Sequence, residues 1–231
     1  MAQIWKGAPV AAALNEKTKK KAQALAEAGI RPTLAIVRVG ERPDDISYEN
    51  GARRRAEGAG VAVLTFTLPA GASQKELEET IHLVNEDAQI HGVLLLRPLP
   101  PQMDEEYIVG LLAPEKDVDG ITDGSLTGVF TGKAVGYAPC TAQACMELLE
   151  YYGVELSGRR ATVVGRSLVV GRPAAMLLMQ KNATVTICHT RTKELAARVR
   201  EADIVIAAAG RRGLLGRESF REGQTVLDVG I

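Results

Sequence analysis

One stretch constrains the fold more than any other: Val163-Val164-Gly165-Arg166-Ser167-Leu168-Val169-Val170-Gly171-Arg172-Pro173. A β-branched run reaches a glycine, passes an Arg-Ser pair, and meets a second glycine where an apolar helical segment begins. A strand, a glycine turn and a helix in that order point backbone N–H groups and a helix N-terminus at a common spot, where a phosphate binds. The expectation is a parallel α/β layer that holds a dinucleotide through Gly165, Arg166, Ser167 and Gly171. The run differs from the ordinary G-x-G-x-x-G, because Ser167 takes the middle glycine's place and the next glycine comes later. Nor is it a P-loop, since Arg172-Pro173 rather than Lys-Ser/Thr follows Gly171.

The rest of the chain repeats the same rhythm. Apolar residues recur at helical spacing over 10–28, and Leu34-Ala35-Ile36-Val37 reads as a strand that ends at Gly40. A helix over 48–58 and a strand over 61–68 follow. Ser73 caps a helix that runs to about 85, with Glu76 completing a capping box. A strand over 93–96 then enters Arg97-Pro98-Leu99-Pro100-Pro101. A second series has helices over 141–152, 171–180 and 192–201, and strands over 161–164, 184–188, 204–208 and 225–229. Repeated β-α-β order predicts an α/β fold of parallel sheets flanked by helices, the second series being a Rossmann-type unit. The boundary is expected within 136–145, and 231 residues at 46% hydrophobic suffice for two small cores.

Composition excludes more than it selects. Lys+Arg and Asp+Glu are equal at 28 each, so the chain as a whole carries no electrostatic signature for nucleic acid or a membrane surface. The basic runs over 17–21 and 53–55 fall in helical patterns and read as solvated faces. Cys140, Cys145 and Cys188 contain no C-x-x-C and are odd in number, so neither a disulfide framework nor a metal site is expected. A reducing, cytoplasmic setting is expected, with no leader or membrane-spanning run.

The strand after the glycine turn selects among dinucleotides. A site for NAD usually places Asp or Glu there, about 20 residues on, to bind the ribose 2′-hydroxyl. Here the strand ends in Cys188-His189-Thr190-Arg191-Thr192, without an acid. A hydroxyl and a guanidinium suit a 2′-phosphate, and Arg166 adds a second positive charge. NADP is the expected cofactor, with Thr190 among its ligands; the alternative makes Thr190 and Thr192 helix caps. His189 reads as a strand-end histidine rather than a catalyst.

Seven ordered motifs then carry a resemblance over essentially the whole chain. They are Tyr48 after Val39-Gly40-x-x-Pro43, Pro98-Leu99-Pro100, Pro114-Glu115-Lys116-Asp117-Val118-Asp119-Gly120, Pro139-Cys140-Thr141, Val164-Gly165-Arg166-Ser167, Cys188-His189-Thr190 and Asp228-Val229-Gly230-Ile231. In this order the chain resembles the bifunctional methylenetetrahydrofolate dehydrogenase/cyclohydrolase family. The resemblance implies a mixed α/β folate-substrate domain over 1–138 and a Rossmann-type NADP-binding domain over 139–231, facing across a cleft, in a homodimer. It implies NADP-dependent oxidation of 5,10-methylenetetrahydrofolate to the 5,10-methenyl form, then hydrolysis to 10-formyltetrahydrofolate. Tyr48 matches the catalytic-site tyrosine that stacks on folate, Asp119 the aspartate that anchors the pterin, and Pro98 belongs to the substrate turn. Gly165, Arg166, Ser167, Thr190 and Ile231 match cofactor positions. Without the resemblance, Asp117 and Asp119 read as loop or capping acids.

The departures from the family matter as much. Its catalytic lysine lies four residues after the tyrosine, where this chain has Ala52. Arg53 follows, turned about 100° around the helix, and a guanidinium does not act as a base near neutral pH. The family's glutamine partner of that lysine is Leu96 here, and the leucine after it is Arg97. Losing one member of a polar pair strands the other, so the double change reads as a coherent retuning. Hydride transfer needs the two ligands held face to face, whereas hydrolysis needs a group that moves protons. Dehydrogenase activity with weak or absent cyclohydrolase activity is the expectation. A catalytically silent paralogue that binds nucleotide, folate or a partner protein is the alternative. The family also continues past the position of Ile231 with a strand, a glycine-rich loop and a helix, and that return segment is expected to bear on the folate pocket.

Overall fold

The computed structural model describes residues 3–230. Cα packing divides the chain into two compact units, one comprising Lys6–Ser125 with Val135–Tyr137, the other built mainly from Leu126–Ala134 and the chain from Ala138 onward. Ile231, an expected cofactor residue, lies outside the described residues.

The first unit holds a parallel sheet of β1 (Thr33–Val39), β2 (Ala62–Leu68) and β3 (Gly92–Leu95) in the order β2-β1-β3. Its helices are α1 (Gly7–Glu27), α2 (Pro43–Gly58), α3 (Gln74–Glu86) and α4 (Glu105–Leu111). Strand side chains alternate between faces, so one apolar run serves two cores. Ala35, Val37 and Val39 join Val93 and Leu95 in a cluster with Leu77, Ile81, Val84 and Ile108 of α3 and α4. Ile36 and Leu94 belong instead to a smaller cluster with Leu96, against which Ala52 of α2 packs.

Local chemistry fixes the helix ends. Ser73 and Glu76 form the expected capping box, with the Ser73 N–H donating to Glu76 Oε2 at 2.7 Å. Helix α2 begins at Pro43, five residues before its expected start. Pro43 stands in the first turn, where its fixed φ suits a helix, and Asp44 and Asp45 complement the dipole there. A buried ion pair ties α2 to the sheet: Arg38 Nε donates to Glu49 at 2.7 Å, with both side chains 10% exposed. Glu49 also receives Arg53 at 3.3 Å, which satisfies its second oxygen.

The second unit carries β4 (Arg160–Val164), β5 (Thr184–Cys188), β6 (Ile204–Ala207) and β7 (Thr225–Asp228), all parallel, in the order β5-β4-β6-β7. Helices α6 (Cys140–Tyr151) and α7 (Gly171–Gln180) pack on one face through Cys145, Leu149, Ala174, Ala175 and Leu178. Helix α8 (Leu195–Glu201) covers the other face through Val199, beside Cys188 and Val205. Helix α5 (Asp123–Thr131) precedes α6 in the chain, and the unit division falls within it. Asp203 joins two strand starts, accepting from the Arg160 N–H at 3.0 Å and from Arg221 Nη2 at 2.7 Å. Those bonds, led by Arg160, hold its carboxyl down to a pKa of about 2. Cys140, Cys145 and Cys188 form no disulfide, and burial pushes the Cys145 thiol up to about 11. No helix among the described residues is long and apolar enough to cross a membrane.

Candidate dinucleotide and substrate sites

Strand β4 delivers the chain to Gly165, whose N–H donates to Cys188 O at 2.9 Å. Its φ of +133° is open to glycine alone, and a Cβ there would stand 2.4 Å from Ala208 O. Gly171 opens α7 under a matching constraint, since a Cβ on it would meet Gly165 O at 2.2 Å. The two glycines therefore let the turn fold onto itself. Ser167 Oγ closes it, accepting from the Val170 N–H at 3.1 Å and the Gly171 N–H at 3.5 Å. Arg172 braces it, donating from Nε to Arg166 O at 3.1 Å.

A cavity of about 490 Å³ opens beside this turn and brings together Gly165, Arg166, Ser167 and Thr190. Gly171 does not line it and acts through the turn's closure. Among the described residues no carboxylate lines it, whereas Arg166 and Arg211 both do. Glycines that a Cβ would fill, and cations without an acid, fit a phosphorylated dinucleotide. His189 Nδ1 accepts from the Arg191 N–H at 3.1 Å, and Thr192 Oγ1 accepts from the His189 N–H at 2.8 Å. Both side chains are thus committed to the turn after β5. The helix expected from Thr192 begins only at Leu195 with Glu194 at its N-cap, because Thr192 spends its hydroxyl on that turn. Sequence reasoning missed Ala208, Ala209 and Arg211, which follow β6 at the same carboxyl edge. The rule that ligands gather at strand carboxyl ends was the available signal.

In the first unit a cavity of about 280 Å³ forms at the end of β3 and the start of α2, and it joins Tyr48, Leu96 and Asp119 with Asp44, Asp45 and Arg97. Leu94, Leu95 and Leu96 make its floor, all under 9% exposed. Pro98 lines an adjoining cavity of about 380 Å³ with Gly40, Arg42 and Gln102. Arg42 grips Asp45 with two bonds of 2.7 and 2.8 Å. Arg97 pairs with Glu105 at 3.2 Å, and Glu105 also accepts from the Leu99 N–H at 2.8 Å. Asp44 was not anticipated here, nor was Asp45; Pro43 ahead of them marked the helix start that turns them toward the strand end.

The Lys116–Gly120 run divides by role. Lys116 Nζ donates to Val84 O and Asp87 O at 2.9 and 2.7 Å, holding the end of α3. Asp117 is fully buried and accepts from the Ile121 and Thr122 N–H groups and from Ser125 Oγ, the last at 2.7 Å. Asp119 alone lines the cavity. Ala52 and Leu96 meet one apolar cluster, and Arg53 turns to Glu49 and to Thr65 Oγ1, the latter at 3.4 Å.

Known proteins resemble this chain over its whole length. Residues 139–231 match the family profile described as tetrahydrofolate dehydrogenase/cyclohydrolase, NAD(P)-binding domain, and residues 5–119 match its catalytic domain. The bifunctional protein FolD of Carboxydothermus hydrogenoformans is 47% identical over 231 residues, covering 100% of this chain and 80% of that protein. The crystal structure of the bifunctional FolD dehydrogenase/cyclohydrolase from Campylobacter jejuni superposes with a TM-score of 0.92 at 36% identity, covering 97% of this chain and 80% of that one. The Trypanosoma brucei enzyme, solved with NADP and an inhibitor, gives 0.89 at 35% identity, covering 99% and 79%. The chain belongs to the tetrahydrofolate dehydrogenase/cyclohydrolase family.

Proposed function

We propose that the protein is an NADP-dependent 5,10-methylenetetrahydrofolate dehydrogenase in which the cyclohydrolase step is weak or lost. The observation that carries this reading is the shared apolar cluster of Ala52 and Leu96 beside the cavity that joins Tyr48 and Asp119. Tyr48 stacks on the folate and Asp119 anchors its pterin by hydrogen bonds, within a substrate domain over 1–138. Gly165, Arg166, Ser167, Thr190 and Ile231 hold the cofactor in a domain over 139–231. The NADP complex of the Trypanosoma relative and the absence of an acid around Arg166 and Thr190 support NADP.

When bound, NADP supplies the hydride acceptor. Hydride leaves an N–CH₂–N carbon and a resonance-stabilised cation remains, without net proton removal by the protein. Positioning dominates such a step. The carboxylates of Asp44 and Asp119 add a negative field that favours the cation, whereas the charge of Asp45 is offset by Arg42. Hydrolysis asks for a proton-moving group, and Ala52, Leu96 and a charged Arg97 supply none. By family likeness the enzyme acts as a homodimer in the cytoplasm.

The test is a spectrophotometric assay of NADP reduction with methylenetetrahydrofolate. Turnover supports the reading, and purified protein that binds neither ligand sinks it. The same two apolar residues also motivate a second reading, a silent paralogue; tight binding of both ligands without any absorbance change would favour that one.

A further inference from the structure

The cofactor reading leaves Arg211 without a task. It follows β6 and lines both cavities at the carboxyl edge of the four-stranded sheet. One is the cavity of about 490 Å³ with Arg166 and Thr190; the other, about 430 Å³, includes Arg212, Phe220 and Asp228. Among the described residues its guanidinium has no ion pair or side-chain hydrogen bond. Among the described residues Arg159, Arg160 and Arg198 of this unit pair with acids, whereas Arg166, Arg191, Arg212 and Arg217, like Arg211, do not; of these arginines only Arg211 lines both cavities.

Topology says what passes this point. In the order β5-β4-β6-β7 the winding reverses between β4 and β6, and a dinucleotide crosses the carboxyl edge at such a reversal. Its adenosine half then lies toward β4 and β5, and its other half toward β6 and β7. A residue that borders both cavities stands where the phosphates linking the halves must cross.

We propose that Arg211 binds the bridging pyrophosphate, while Arg166 reads the 2′-phosphate. This rests on the cofactor reading above. A guanidinium presents a planar fork of donors that matches phosphate oxygens, and it stays charged across the working pH range. Among the described residues the cavity assigned to the phosphates is lined by Arg166 and Arg211 and by no acid, whereas the cavity on the β7 side holds Asp228 together with Arg211 and Arg212.

Calorimetric titration of the full chain with NADP⁺, NAD⁺ and adenosine 2′-monophosphate separates the two arginines without any turnover. Arg211→Ala weakens NADP⁺ and NAD⁺ by a common factor of about ten and leaves adenosine 2′-monophosphate unchanged. Arg211→Lys recovers part of the loss. Arg166→Ala weakens NADP⁺ and adenosine 2′-monophosphate and spares NAD⁺. An Arg211→Ala protein that melts like the wild type yet binds all three normally, or loses NADP⁺ alone, overturns the inference and leaves the cofactor reading standing. Wild-type protein that binds none of the three probes overturns both.

Discussion

The carboxyl ends of the two parallel sheets carry opposite chemistry. Beside β4 the chain offers glycines, a hydroxyl and arginines, with no acid among the described residues that line the cavity. Beside β3 it offers three carboxylates over a leucine floor, with Arg97 engaged by Glu105. The first surface suits a polyanion and keeps its polar groups ready. The second has the apolar side chains of Ala52 and Leu96 joined in one cluster, at the positions proposed above to have lost a proton-moving pair. On the proposed reading, a retained cofactor site in one unit and an altered pair in the other teach that binding and proton chemistry are separable properties of one fold.

The largest effect should come from altering that pair. Ala52→Lys with Leu96→Gln is expected to raise hydrolysis of methenyltetrahydrofolate by roughly 10² to 10⁴, the usual worth of general acid–base help. Either single change should do far less, since each leaves a polar group facing an apolar neighbour. A double variant with no gain breaks the contrast between the two sheet ends.

Next comes the glycine cradle. Gly165→Ala drives a Cβ against the Ala208 carbonyl and forces φ out of range, with an expected cost of about 3 kcal/mol. Thermal denaturation should show that loss, and dinucleotide affinity should fall with it. Normal stability and binding would mean the turn is less tightly determined than its geometry says.

Asp117 tests the claim that its acid is structural whereas Asp119 belongs to the substrate. Asp117→Asn sets an amide N–H₂ against donors that now share a carboxylate, costing about 2 kcal/mol in urea denaturation. Asp119→Asn should leave stability within about 0.5 kcal/mol and weaken folate binding instead.

The smallest effect is a pH dependence in the second unit. Asp203 has its pKa held near 2, below the ordinary value of 3.8, chiefly by the Arg160 N–H and side chain. Its contribution is therefore complete above the ordinary value and is lost as pH falls through about 2. Solvent screening keeps it under about 1 kcal/mol. Asp203→Asn should lower the melting temperature slightly at pH 7, and the difference from wild type should shrink as pH falls below about 4 and vanish only below about pH 2.

Much of this contrast is legible in the sequence, for physical reasons. Long periodic segments announce themselves: Gly171–Gln180 and Thr184–Cys188 have the bounds their patterns predict. The Ser73–Glu76 box is a local signal with a local cause. Helices α4 and α5 gave no such signal, because seven and nine residues span too few turns to display a period. The start of α2 was missed although Pro43 and two acids marked it. Asp44, Asp45 and Arg211 escaped because cavities at strand ends gather residues from separate loops, and no spacing rule connects those loops. Ala52 and Leu96 are the instructive case. Each is an ordinary apolar residue to a pattern search, and only the resemblance made them conspicuous; the structure then joined them in one cluster.

The central claim is that this protein keeps hydride transfer and forgoes hydrolysis. One purified wild-type sample, given methylenetetrahydrofolate and NADP⁺ and followed at the methenyl absorbance, tests it most directly. The account predicts that methenyltetrahydrofolate accumulates and then decays only at the rate seen without enzyme. Enzyme-dependent decay as fast as its formation would contradict it.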